Sequence, residues 1–311
     1  MSVLSIVLPA YNEEAVLTNT VAVLNETLTR ENIPYHLIFV DDGSKDATWD
    51  RIVEVSEKYD CITAVRFSRN FGKEAAILAG LACSKGDCTA VMDCDLQHPP
   101  KTLVEMYHLW EEGYDIIDGV KRDRGKESVQ HRLAAKIFNG IMSKEIRIDM
   151  SAASDFKLMD KKVVGALLTM PERNMFFRAM SSWIGFRTTS VAFDVGERSA
   201  GSSKWSTMSL VRYALGNIAA YSSLPMQLVT GAGMFSLILS VVLGIQTIVK
   251  YFSGRAVEGF TTVILLILLL GSIVMISLGI IGYYISKIYE EVRGRPRYII
   301  SKRIDKGSLE S

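Results

Sequence analysis

The sequence carries almost no net charge: 35 Lys and Arg against 34 Asp and Glu leave +1 over 311 residues. Such a balance leaves no strongly basic domain of the kind that binds nucleic acid generally. The four cysteines, Cys61, Cys83, Cys88 and Cys94, lack the paired spacing of a metal site. Three of them fall in or beside predicted strands, so reduced cytosolic thiols are expected. The N-terminus has no basic n-region, and its apolar run is too short for a signal peptide. It reads instead as a first strand.

Long apolar runs are not lacking, and they are unevenly placed. Hydrophobic residues make up 49% of the chain and charged residues 22%. Up to about residue 225 the pattern is that of a soluble α/β protein. Beyond it, Val229 to Val249 and Thr261 to Ser286 contain no charged residue. Each exceeds the roughly 20 residues that cross a bilayer, and neither has the polar face of a surface helix. Gly231, Gly233, Gly244, Gly271, Gly279 and Gly282 suit close helix contacts in lipid. The connector from Lys250 to Phe260 is short and nearly balanced in charge. Lys204 and Arg212 precede the first run, and Lys287, Arg293, Arg295, Arg297, Lys302 and Arg303 follow the second. The positive-inside rule then places both termini, and the large N-terminal region, in the cytoplasm.

That region delivers polar residues at the ends of apolar strands. Thr89-Ala90-Val91-Met92 runs into Asp93-Cys94-Asp95. Side chains at i and i+2 share one side of a strand, so the spacing predicts that Asp93 and Asp95 converge on one ligand. Two uncompensated carboxylates would repel, and a hard divalent cation such as Mg²⁺ or Mn²⁺ relieves the repulsion. Leu37-Ile38-Phe39-Val40 likewise enters Asp41-Asp42-Gly43-Ser44, and Leu4 to Pro9 enters Ala10-Tyr11-Asn12-Glu13-Glu14. Open α/β sheets bind ligands beyond the carboxyl ends of their strands, so a shared crevice is expected there.

Residues 128–143 form an amphipathic pattern, with Leu133, Ile137 and Ile141 on one face and Arg132, Lys136 and Lys144 as cations. A second pattern spans Met208 to Tyr221, with Leu210, Tyr213, Ala214 and Ile218 apolar and Arg212 cationic. Basic amphipathic helices lie in the headgroup plane, and interfacial placement is expected for both. Ser154 to Asp160 reads as a strand with an acid, Asp155, at its start. Glu197 to Trp205 combines Arg198 and Lys204 with small residues, the composition of a loop able to close over a phosphate.

Taken in order, these segments resemble a known family. They are Val7 to Glu14, Val40 to Thr48, Arg69-Asn70-Phe71-Gly72-Lys73, Met92 to Pro100, Ser154 to Asp160, the loop from Arg198 to Lys204, and Arg295-Pro296-Arg297-Tyr298. The chain resembles a family 2 glycosyltransferase of the polyprenyl-phosphate type, similar to dolichol-phosphate mannose synthases and bacterial undecaprenyl-phosphate glucosyltransferases. The resemblance covers essentially the whole chain. It implies a GT-A-type α/β domain with a mostly parallel sheet over residues 1–207, including the interfacial helix 128–143. A juxtamembrane helix would follow at 208–225, two transmembrane helices within 226–288 (about 229–249 and 261–286), and a cytosolic basic tail at 289–311.

The resemblance also implies roles. Pro9, Tyr11, Glu13, Asp42 and Asp41 would line the nucleoside pocket. Asp93 would sit near the ribose, the metal or both. Asp95 would be the main ligand of Mg²⁺ or Mn²⁺, with Gln97 completing the shell. Asp155 would face the sugar, first as a positioner and second as a base. Arg198 and Lys204 would hold the donor pyrophosphate. The acceptor phosphate would be gripped by Arg132 and by either Lys121 or Arg122.

The implied enzyme is a metal-dependent hexosyltransferase of the inner membrane, serving cell-envelope glycosylation. It would move a sugar, first of all glucose from UDP-glucose, to a lipid phosphate with inversion. UDP-GlcNAc, UDP-galactose and GDP-mannose are alternative donors, and a non-catalytic nucleotide-sugar scaffold is the alternative role. Expected partners are the donor, the lipid, a flippase, a downstream glycosyltransferase and further copies of the chain, with no nucleic acid. A processive polysaccharide synthase would carry Gln-x-x-Arg-Trp and more spans, whereas here Ser182 precedes Trp183.

Overall fold

A computed structural model describes residues 2–122, 154–170, 172, 176–194, 224–253 and 259–305. Arg132, Arg198, Lys204, the 128–143 helix and the 208–221 helix lie outside the described residues.

Strands β1 (Leu4–Ala10), β2 (Tyr35–Asp41), β3 (Ile62–Phe67) and β4 (Cys88–Val91) alternate with helices α1 (Leu17–Arg30), α2 (Thr48–Lys58) and α3 (Lys73–Cys83). Helix α4 (Pro100–Glu111), strands β5 (Ile116–Lys121) and β6 (Lys157–Asp160), helices α5 (Lys161–Thr169) and α6 (Phe177–Trp183), and strand β7 (Thr188–Phe193) follow. Helices α7 (Leu224–Phe252) and α8 (Phe260–Val292) and strand β8 (Ile300–Asp305) close the order. All strands join one eight-stranded sheet, β7-β5-β6-β4-β1-β2-β3-β8. The β4-β1-β2-β3 centre is parallel, as is β5 with β7. β6 runs antiparallel between β4 and β5, and β8 antiparallel beside β3.

The central strands are apolar on both faces because helices cover both. Leu4, Ile6, Leu8, Leu37 and Phe39 face α1, α2 and α4, where Leu17, Leu24, Ile52 and Leu103 join one core. On the other face α3 lies so close to β1 that a Cβ on Gly80 would stand 2.2 Å from Val7 Cγ1. Such continuous apolar runs mark a sheet buried on both sides.

Two compact units divide the chain: residues 1–206 with 295–311, and residues 207–294. In the second unit, α7 and α8 pack on each other. Val229–Gln246 and Leu269–Val292 are long and apolar enough to cross a membrane, with 6% and 0% of their residues buried. A soluble core helix would be mostly buried, whereas Phe235, Ile238, Ile267, Met275 and Ile276 are well exposed. These helices are consistent with membrane association.

The return of the chain to the sheet is a finding that the sequence reading did not contain. Residues 300–305 form the strand β8, in a segment read from sequence as a basic tail. Ser68 N–H donates to Ile299 C=O at 2.9 Å, and Ser301 Oγ donates to Arg66 C=O at 3.1 Å. Tyr298 stacks on Phe67 with ring centroids 5.0 Å apart, and Arg297 donates to Met170 C=O at 2.7 Å. The strand alternation is weak because β8 is an exposed edge.

Tyr298→Ala removes the stack and is expected to destabilise the full-length chain by about 1–2 kcal/mol. Thermal melting checks this, and Tyr298→Phe should melt within a degree or so of the native chain.

Candidate active site

The strand order reverses at β1: β2 and β3 lie to one side, and β4 to the other. In an open α/β sheet such a reversal marks the usual ligand position, beyond the carboxyl ends of the flanking strands, here β1 and β4. Pro9, Tyr11, Glu13, Asp41, Asp42, Asp93, Asp95 and Gln97 all fall at this edge. β5 runs in the same direction as β4, so Lys121 and Arg122 also reach it. Both are exposed, and Arg122 pairs with Asp194 at 3.3 Å.

The loops at the edge are tied to one another. Asn12 N–H donates to Ser44 Oγ, Glu13 N–H to Thr48 Oγ1, and Lys45 N–H to Asn12 Oδ1, at 2.8–2.9 Å. Gly43 has φ +69°, and a Cβ there would meet Arg69 C at 2.5 Å. Only glycine satisfies both the left-handed backbone and that contact.

Asp41 is fully buried. Its Oδ1 accepts Ser44 N–H at 2.9 Å. Arg66 Nε lies 3.2 Å from Oδ2 as an ion pair not aligned as a hydrogen bond. Asp42 receives Phe71 N–H at 2.6 Å and Gly72 N–H at 2.9 Å on its two oxygens. Burial raises its pKa, and these N–H donors offset part of the rise. The structure thus places Asp42 as the clamp on the β3–α3 loop just ahead of α3.

β4 stops at Val91, so strand alternation no longer governs the acids beyond it. Asp93 and Asp95 turn to different partners. Leu96 adopts φ +57° and folds the chain back, and Gln97 N–H donates to Asp95 Oδ1 at 3.1 Å. Asp93 instead takes the Lys73 ammonium at 2.6 Å. The carboxylate that shares this ammonium is Asp155, at 3.1 Å. The register explains the meeting. Val91, the last residue of β4, pairs with Lys157, the first of β6, so the segments that carry Asp93 and Asp155 leave the sheet side by side.

Arg178 on α6 closes the cluster. Its Nε and Nη2 donate to Asp155 Oδ1 and Oδ2 at 2.6 and 2.8 Å, a two-point fork. Phe177 N–H donates to Glu74 Oε2 at 2.9 Å, which ties the start of α6 to the start of α3. Burial would raise the Asp155 pKa, but Lys73 and Arg178 outweigh it and hold the group well below the ordinary carboxylate range. Burial would likewise lower Lys73, yet Asp93 and Asp155 hold its ammonium well above its usual value. A carboxylate so firmly ionised is a weak base and a good electrostatic anchor.

His98 supports Asp93 from behind. Its ring stacks on Phe156 at 4.5 Å, and Nδ1 accepts Asp93 N–H at 3.2 Å, which needs a neutral ring. Burial lowers its pKa and keeps it so. On the other side of β6, fully buried Lys157 pairs with Asp118.

Lys73, Arg178 and His98 were not singled out from the sequence. Lys73 stands in the Arg69-Asn70-Phe71-Gly72-Lys73 segment, and His98 in the segment after Asp95, so both had a local signal. Arg178 had none.

A divalent ion fits the chemistry of the donor set. Among the described residues no group of three or more His, Cys, Asp or Glu side chains could hold a metal by itself. Mg²⁺ characteristically takes one or two carboxylates and completes its shell with substrate phosphates and water. Asp95, oriented by the Gln97 N–H and partly exposed, offers that kind of oxygen.

Residues 5–168 match the sequence profile described as Glycosyl transferase family 2. The chain belongs to that family. An uncharacterized glycosyltransferase of Synechocystis sp. is 40% identical to this transferase over 96% of this chain and 94% of its own. The putative glycosyltransferase CsbB of Bacillus subtilis is 37% identical over 96% and 91%. A prophage-derived bactoprenol glucosyl transferase of Shigella flexneri is 33% identical over 96% and 97%. The family's GT-A-type α/β fold, with a mostly parallel sheet, accounts for the crevice at β1 and β4.

Arg178→Ala leaves Asp155 with Lys73 alone and is expected to destabilise the transferase by about 1–3 kcal/mol, discounted because Arg178 is partly exposed. The depressed Asp155 pKa contributes stability above the unfolded carboxylate value of about 4, and loses it as pH falls. The gap between native and variant should therefore be full at neutral pH and shrink below about pH 4, as read by urea unfolding across pH.

Proposed function

We propose that the transferase moves a sugar, first of all glucose from UDP-glucose, to a polyprenyl phosphate such as undecaprenyl phosphate, with inversion at the anomeric carbon. The observation that carries this reading is the meeting of Asp93 and Asp155 at the crevice mouth, beside Asp95. Full-length similarity to proteins named bactoprenol glucosyl transferase supports the lipid acceptor. The exposed apolar faces of α7 and α8 support a bilayer location.

Pro9, Tyr11, Glu13 and the clamped Asp41–Asp42 turn form the nucleoside wall. Arg198 and Lys204 hold the donor diphosphate, and Arg132 with Lys121 or Arg122 holds the acceptor phosphate. Asp95, with Asp93 and Gln97, would hold a Mg²⁺ or Mn²⁺, which would supply Lewis-acid stabilisation of charge on the leaving diphosphate.

The nucleophile is an oxygen of the acceptor phosphate. A phosphomonoester has a second pKa near about 6 and is mostly dianionic at neutral pH, so it needs no strong base. That suits an Asp155 locked in ionised form by Lys73 and Arg178. One phosphate oxygen forms the new bond to the anomeric carbon, and the bond from that carbon to the donor diphosphate breaks. The nucleoside diphosphate leaves with the electron pair. In-line attack on an α-linked donor yields a β-linked product. Asp155 orients the sugar through its ionised oxygens, and the fork from Arg178 keeps those oxygens in place.

The site faces the cytoplasmic leaflet of the inner membrane in this reading, with both termini cytoplasmic and the interfacial helices beside the lipid headgroups. A flippase and a downstream transferase would handle the product, and homo-oligomers would form in the membrane.

Transfer of radiolabelled sugar to polyprenyl phosphate tests the reading across a panel of nucleotide sugars. Asp95→Ala and excess chelator should each lower transfer by at least about a hundredfold, while Lys58→Ala, at the opposite edge of the sheet, should retain it. Full activity in chelator would remove Asp95 from the ligand set. Arg132→Ala should raise the lipid-phosphate KM about tenfold with little change in donor KM; equal losses in both would count against its role.

A further inference from the structure

The ammonium of Lys73 stands where two carboxylates need a countercharge. It is 2.6 Å from Asp93 and 3.1 Å from Asp155. Arg178 adds a second positive charge on Asp155. Among these four side chains two carboxylates face two cations, so their charges balance from within the chain. Its parts are rigidly mounted. Lys73 is the first residue of α3, held by the Asp42 clamp on Phe71 and Gly72. Glu74, the next residue, fixes the start of α6 and with it Arg178.

A divalent ion entering beside Asp95 meets this balanced cluster. It gains little from Asp93 while the ammonium remains there, and it is repelled by the ammonium at close range. A nucleoside diphosphate changes the sum, because its negative charge arrives with the ion and offsets both cations. We propose that Lys73 is a resident counter-cation that weakens divalent-ion uptake by the protein alone and makes that uptake depend on the donor diphosphate. This rests on the reading of Asp95 as a metal ligand and adds a function to Lys73 beyond holding Asp155 ionised. Lys73 acts here through Asp93, as a positioning residue.

The test is Mn²⁺ binding to the full-length chain, followed by the electron paramagnetic resonance signal of free Mn²⁺, with and without UDP. The native chain should bind Mn²⁺ weakly alone and at least about tenfold more tightly with UDP. Lys73→Met should bind Mn²⁺ without nucleotide about tenfold more tightly than native, and UDP should add much less to it. Lys73→Gln, measured alongside, should behave as Lys73→Met and keeps the test open where the apolar variant does not fold. Lys73→Arg should restore weak binding without nucleotide. A merely structural Lys73 would leave these affinities unchanged or lower them in every variant. Unchanged or weaker nucleotide-free binding in the folded Met and Gln variants overturns the proposal, as does an equal UDP effect in native and variant. The metal-ligand reading fails separately: Asp95→Ala would then bind Mn²⁺ as the native chain does.

Discussion

The antiparallel insertion of β6 beside β4 is the constraint on which the site depends. Four parallel strands would bring only their own carboxyl ends to the crevice. A strand running the other way brings its beginning there instead, and the Val91–Lys157 pair that ends the β4–β6 ladder brings the segments carrying Asp93 and Asp155 together. Two carboxylates so placed cannot both stay ionised without a countercharge. Lys73 at the start of α3 and Arg178 on α6 provide it.

The supporting shell is built from backbone donors and glycine. Asp42 spends both oxygens on the β3–α3 loop, and Gly43 lets Arg69 pass within a distance that no side chain permits. The same loop is braced from outside by residues 297–301, through Tyr298 on Phe67 and the hydrogen bond from Ser68. The chain that follows the long apolar helices therefore belongs to the catalytic unit. Removing it would strip an edge strand and a brace from the loop that carries Lys73.

Charge economy at the site also shapes its chemistry. Asp155 is held too strongly ionised to serve as a base near neutral pH, and a phosphate nucleophile asks for none. Cys94, between the two acids, plays a different part: burial raises its thiol pKa well above the usual value, and the thiol donates to Pro9 C=O at 3.5 Å.

The α/β class, the strand–acid junctions and the two apolar helices were legible in the residues because each is a local pattern. β1, β2 and β4 read as apolar runs ending in acids, and α7 and α8 as runs without charge. Local pattern could not show which acids meet. Asp93 and Asp95 stand one residue apart, yet the strand ends before them, and Asp93 pairs with Lys73 while Asp95 accepts the Gln97 N–H. Arg178 reaches Asp155 from a helix 23 residues on, and β8 pairs with β3 with only weak alternation of its own. Sequence by itself determined the elements and the types of chemistry, because periodicity and turn residues act over a few residues. Only the tertiary structure decided the partners, because pairing of charges depends on strand direction and register, which the whole sheet sets at once.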